Sequence, residues 1–234
     1  MPSQLRALAL DAHDATTVAR FWAALLGRPP VVEDDGSVLL AGDETQVGLH
    51  FTPSDSSKAG PNRIHLHLTS TSPQDQDQVV ASALGLGATH LDVGQRPEEG
   101  HVVLADPEGN ELCVIEPGNR YLAGCGFLGE LACDGTRGVG VFWSEVLGWP
   151  LVWDEDDETA IQSPRGGTKV AWGGGSPLAP EPRGNRQRFD LTCADGDAAE
   201  VERLVGLGAT VLDDRGLVVD LVDPDGNEFS LTRV

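Results

Sequence analysis

Apolar positions recur at three- and four-residue spacing over residues 15–26, through Val18, Phe21, Trp22, Leu25 and Leu26. That period predicts a helix, and Gly27 suits its C-terminal cap. Residues 5–11 read as a strand before it, and strands are expected near 30–33, 37–41 and 46–52 after it. The same order then returns. Residues 63–69 alternate as a strand, and Ser72-Pro73 supplies an N-cap followed by proline at the first helical position. A helix is expected to about Leu86, then strands near 89–93, 101–105 and 110–116. Asp106-Pro107-Glu108-Gly109-Asn110 forms the last hairpin turn, with Gly109 at positive φ. The order is β-α-β-β-β, twice.

This block is itself repeated. Phe21-Trp22-Ala23-Ala24-Leu25-Leu26-Gly27 returns as Phe142-Trp143-Ser144-Glu145-Val146-Leu147-Gly148. Asn62-Arg63 returns as Asn185-Arg186, and Leu86-Gly87-Ala88-Thr89 as Leu207-Gly208-Ala209-Thr210. Asp106-Pro107-Glu108-Gly109-Asn110-Glu111 returns as Asp223-Pro224-Asp225-Gly226-Asn227-Glu228. Four ordered motifs recurring near a constant offset indicate a duplicated domain. The expected units are residues 1–118 and 122–234, with a boundary near Pro117 to Tyr121. Two domains also suit a chain of 234 residues.

Composition narrows the function classes. Apolar residues make up 40%, and no apolar run approaches the ~20 residues of a spanning helix. Met1 to Leu10 lacks the layout of a signal peptide. Cys113, Cys125, Cys133 and Cys193 show no CxxC spacing, so reduced thiols and a cytoplasmic location are expected. The net charge of −21 repels phosphate backbones, which argues against nucleic acid as a partner. The acidic runs Glu33-Asp34-Asp35 and Asp154 to Glu158 read first as solvated loops. Gly85-Leu86-Gly87 and Gly206-Leu207-Gly208 end helices, whereas a phosphate cradle needs a helix N-terminus. Trp22 and Trp143, at repeated helix positions, are expected in the core.

The Phe-Trp-x-x-x-Leu-Gly helix end, the Asn-Arg-x-His-Leu strand, the Leu-Gly-Ala-Thr segment and the Asp-Pro-x-Gly-Asn hairpin together resemble the vicinal oxygen chelate superfamily, in its glyoxalase-like branch. The resemblance covers nearly the whole chain. It implies an α+β fold of tandem domains, each of two βαβββ modules forming a curled sheet with helices outside. It is specific for fold and weak for reaction, since members include lyases, isomerases, epimerases, ring-cleaving dioxygenases and metal-free drug-binding proteins.

The resemblance also implies where a metal would sit, on the cup-facing side of the first and last strands of each half. Alternation along the strands sends His50, His65 and His67 into the cup. His65 and His50 match ligand positions, and Cys113 stands where the family has a glutamate. The first-strand position is about Ala7, which binds nothing. His50, His65 and Cys113 are therefore the candidate ligands for a divalent ion (zinc, nickel, manganese or iron). His67 is the candidate proton shuttle. The competing reading is a metal-free pocket in which the histidines hydrogen-bond a guest.

The second copy has no histidine. Arg188, Asp190, Ala171 and Ser230 replace His65, His67, His50 and Cys113. Arg188 and Asp190 are candidate ligand-binding residues or a structural pair, with each other or with Glu130. Trp172, beside Gly173-Gly174-Gly175, is a candidate pocket wall or a core residue. Two functions follow. One is a small-molecule binder of the glyoxalase and bleomycin-resistance type, metal-free or with a degenerate metal site. The other is a metal-dependent lyase or isomerase acting on a small oxygenated substrate, with its site in the first copy. A monomer or homodimer suits both. In a third arrangement the second copy completes the first, replacing a partner chain.

Overall fold

The computed structural model describes residues 3–234 apart from 57, 97, 175–184 and 194–197. Four βαβββ modules follow one another. The first holds β1 (Gln4–Ala12), α1 (Ala15–Leu26), β2 (Pro30–Val32), β3 (Val38–Leu40) and β4 (Gly48–Pro53). The second holds β5 (Ile64–Leu68), α2 (Pro73–Gly85), β6 (Thr89–His90), β7 (Val102–Ala105) and β8 (Glu111–Val114). The third holds β9 (Leu128–Gly135), α3 (Arg137–Leu147), β10 (Leu151–Glu155), β11 (Glu158–Gln162) and β12 (Lys169–Gly174). The fourth holds β13 (Gln187–Cys193), α4 (Ala198–Leu207), β14 (Thr210–Asp214), β15 (Val218–Val222) and β16 (Glu228–Arg233). Gly173 and Gly174 lie within β12, while Gly175 falls outside the described residues.

Local chemistry explains the element ends. Asp14 caps α1 by accepting from Thr17 N, and Gly27 closes it at φ 66°. Ser72 caps α2 with Pro73 at its first turn. Thr136 and Gly148 do for α3 what Asp14 and Gly27 do for α1. The repeated motifs are joined to each other. Trp22 Nε1 donates to Asp106 Oδ2 at 2.9 Å, and Trp143 Nε1 to Asp223 Oδ2 at 3.1 Å. Each indole is thus fixed both by its apolar surroundings and by the hairpin aspartate of its own copy, which is why the two motifs recur together.

The fold is α+β, with two curled eight-stranded sheets and four helices among the described residues. The first sheet runs β14-β15-β16-β13-β1-β4-β3-β2, the second β10-β11-β12-β9-β5-β8-β7-β6. Each sheet therefore takes one module from each copy. The joins are antiparallel, β1 against β13 and β5 against β9. Neither copy completes a sheet from its own strands. The helix-facing sides share one apolar core around Trp22, Trp143, Phe51 and Phe229. Among the described residues no helix is long and apolar enough to cross a membrane.

Candidate functional site

This topology separates the candidate metal ligands. His50 lies on β4 in the first sheet, whereas His65, His67 and Cys113 lie on β5 and β8 in the second. The expectation that His50, His65 and Cys113 share one cup is corrected, because their sheets are completed by different modules of the second copy. Among the described residues no group of three or more His, Cys, Asp or Glu could hold a metal ion.

The first cup is filled by its own polar side chains. His50 Nδ1 lies 2.7 Å from Asp190 Oδ2, and Nε2 lies 3.0 Å from Ser37 Oγ and 3.4 Å from Glu33 Oε2. Glu33 also takes a 2.5 Å contact from Arg6. Arg188 Nη1 donates to Asp11 Oδ1 at 2.7 Å. Arg188 and Asp190 are thus engaged with Asp11 and His50, and the suggested partner Glu130 lies in the other sheet. Ser37, His50 and Asp190 are spaced like a hydrolytic triad, but Ser37 is 0% exposed and donates to Asp35 Oδ1 at 2.6 Å. A nucleophile needs access to its carbonyl, so this set is a structural network tying β3 and β4 to β13.

The second cup is open. On β5 the burial pattern alternates, with His65 and His67 directed away from the helix-packed Ile64, Leu66 and Leu68. Register places His65 opposite Ala132, and Ala132 beside Ala171. In the first sheet the corresponding neighbours are Arg188, Ala9 and His50. Alanine where the other cup has His50 leaves room, and a cavity of about 480 Å³ results. Ala132, Ala171 and Gly173 form its low floor, with Trp153, Tyr121, His65, Asp134 and Glu158 around it. Trp153 is 40% exposed and meets Tyr121 edge-on, their ring centroids 5.9 Å apart. Trp172 borders the cavity, yet its indole is 2% exposed and stacked at 6.4 Å on Trp143. It is a core tryptophan.

Two histidines of this cup have different states. His65 Nε2 lies 3.0 Å from the Asn62 carbonyl oxygen, to which it donates, so Nδ1 is left as the nitrogen available to the cavity. His67 Nδ1 lies 2.7 Å from Glu130 Oε2. Burial pushes the His67 pKa down, but hydrogen bonds to Cys113 and Glu130 and the Glu130 charge outweigh it and raise it to about 9. The His67 ring nitrogen facing Glu130 is thus engaged by that carboxylate, and a metal would have to displace both the proton and the contact. Burial, with the Glu130 charge beside it, pushes the Tyr121 phenol well above its ordinary value. Asp134 is pushed up by burial, partly offset by His65 and Arg63. Asp134 and Glu158 both line the cavity.

One level deeper, four adjacent strands align a row. Cys113 on β8 pairs with His67 on β5, His67 with Glu130 on β9, and Glu130 with Lys169 on β12. Lys169 is 9% exposed, donates to the Tyr121 carbonyl oxygen and stands 3.9 Å from the Tyr121 ring centroid. The donors present do not fit a divalent ion. Sequence reasoning named Glu130 only as a partner for Arg188 or Asp190, and missed Asp134 and the neighbouring Lys169. A signal existed, since Glu130 takes in β9 the place of Ala7 in β1. The crossing of copies between sheets is what gives that residue to the histidines of the first copy.

A glyoxalase-like domain model matches residues 7–115 and 130–232. No curated protein matches. Glyoxalase I from Zea mays superposes with a TM-score of 0.71 at 14% identity, covering 99% of this chain and 92% of that one. A variant of the same enzyme gives 0.64 at 15% identity, with 99% and 92% covered. A Bacillus subtilis subsp. subtilis str. 168 protein, solved as a candidate dioxygenase, gives 0.60 at 14% identity, with 99% and 85% covered. Likeness at these identities carries the fold alone. Matched twice by one family model over most of its length, the chain belongs to the glyoxalase-like domain family.

Proposed function

We propose that the cup of the second sheet binds a small, flat, positively charged organic molecule without help from a metal. The observation that carries this reading is the combination in one cavity of an exposed indole, Trp153, with two carboxyl side chains, Asp134 and Glu158, and small alanine and glycine residues in its lining. A small-residue floor accepts a planar body, and aromatic faces attract cations, more strongly where water is excluded. The acidic hairpin Asp154 to Glu158 rises beside the mouth, and the net charge of −21 raises the local concentration of cations. His65 Nδ1 adds one acceptor that orients the guest. The reading as a divalent-metal lyase or isomerase gains no support from the donor set, because His50 belongs to the other sheet.

Titration with a planar cation such as N-methylquinolinium, followed by tryptophan fluorescence and calorimetry, tests the proposal. Quinoline-type neutral and carboxylated analogues serve as comparisons. The cation is expected to bind more tightly than either analogue. Trp153→Ala is expected to weaken it roughly 5- to 20-fold, as loss of a partly desolvated cation–π contact does. Glu158→Gln is expected to weaken it and flatten its salt dependence. Equal binding of cation and anion, or indifference to both substitutions, would defeat the reading.

A further inference from the structure

We infer that Lys169 is a built-in cation that keeps the second cup free of divalent metal. The row Cys113, His67, Glu130, Lys169 crosses four neighbouring strands at one level. Its first three members are residue types that bind zinc, although as placed here they form no metal-holding group among the described residues. The fourth is an ammonium, with three donors and no lone pair. It is buried, and it reaches the Tyr121 carbonyl oxygen with its charge against the Tyr121 ring. Glu130 meets His67 Nδ1 at 2.7 Å, with Cys113 paired to His67 across the strands on its other side. Two of the would-be ligands are thus engaged with each other, and a fixed positive charge stands at the end of the row. An ion entering the row would have to break that pair and sit near the ammonium in a partly dry cup.

The corresponding place in the first sheet makes the lysine distinctive. There Gly48 pairs with Ala7 as Lys169 pairs with Glu130. At these two register positions the second sheet carries a carboxylate and an ammonium where the first carries two small residues. The same ammonium draws Tyr121 and the segment between the copies onto the cup, where Leu122 and Cys125 pack with Val103, Cys113 and Ile115. Lys169 is thus a positioning residue as well as an electrostatic block.

The test is zinc binding to the full chain at neutral pH, read by calorimetry and by metal content after gel filtration. The unaltered protein is expected to hold no zinc tighter than about 100 µM. Lys169→Met removes the charge at similar volume and is expected to tighten zinc at least ~10-fold. Lys169→Glu adds a fourth donor and is expected to tighten it ~100-fold or more, an affinity lost again when His67→Ala is added. A Lys169→Glu chain that folds only with zinc present also meets the expectation. The inference is overturned if the unaltered protein takes up one zinc that His67→Ala abolishes. It is equally overturned if neither variant, folded or not, gains zinc. Planar-cation binding by the unaltered protein is a separate measurement, so either proposal can fail while the other stands.

Discussion

At the scale of single residues, His67 shows how neighbours set a charge state. Its pKa rises to about 9 although burial alone would lower it, and an unfolded histidine titrates near 6.5. A group whose folded value is the higher one stabilises the fold in full below about pH 6.5 and loses that contribution as pH rises through about 9. The stability difference between the unaltered protein and His67→Gln is therefore expected to be largest near pH 6 and to shrink steadily towards pH 10. Urea unfolding at several pH values measures it. A gap that stayed constant across that range would mean that folding leaves the His67 pKa unshifted. His65, two residues away on the same face, has a backbone carbonyl as its partner rather than a carboxylate, and this difference of partner separates their roles.

At the scale of elements, the hairpin turn of each copy anchors a helix. Asp106 accepts from Trp22 Nε1 and from the backbone N of Glu108 and Asn110, and its carboxyl is buried, which pushes its pKa up. Asp106→Ala leaves a buried indole N–H and two turn amides without that acceptor. A loss of about 2–4 kcal/mol is expected, with a fall in Tm of roughly 5–15 °C. Calorimetry checks it, and Asp223→Ala is expected to behave alike, because Asp223 repeats the arrangement with Trp143. A fall of only a degree or two would place the anchoring in apolar packing alone. The cup-lining positions of β5 were readable as an element property, since strict alternation puts His65 and His67 on one face. The state of that face was not readable, because Glu130, Lys169 and Tyr121 arrive from other elements.

At the scale of the whole molecule, the exchange of modules between sheets makes the two copies interdependent. Each sheet is closed by β1 against β13 or by β5 against β9, both pairs joining one copy to the other. A fragment of residues 1–118 alone exposes two long, largely apolar strand edges, which invite association or misfolding. Expressed separately, residues 1–118 and 122–234 are each expected to aggregate or self-associate. Mixed during refolding, they are expected to form a 1:1 complex with the far-ultraviolet spectrum of the intact chain. Gel filtration with circular dichroism decides this, and two independently monomeric, folded fragments would contradict the topology. The same exchange gives one chain two unlike cups. The first is closed by the His50, Asp190 and Arg188 networks, and the second is hollowed by Ala132 and Ala171.

The sequence by itself determined the four βαβββ modules, the duplication and the helix caps. These follow from hydrophobic period, turn chemistry and capping, all of which act over a few residues. It also determined which face of each strand carries the histidines. Only the tertiary structure decided which modules share a sheet. That choice depends on strand edges more than a hundred residues apart, and alternation along one strand says nothing about its neighbour. It parted His50 from His65 and Cys113, and brought Glu130 and Lys169 to His67. Chemistry that needs several side chains in one place is therefore set by the pairing of the strands.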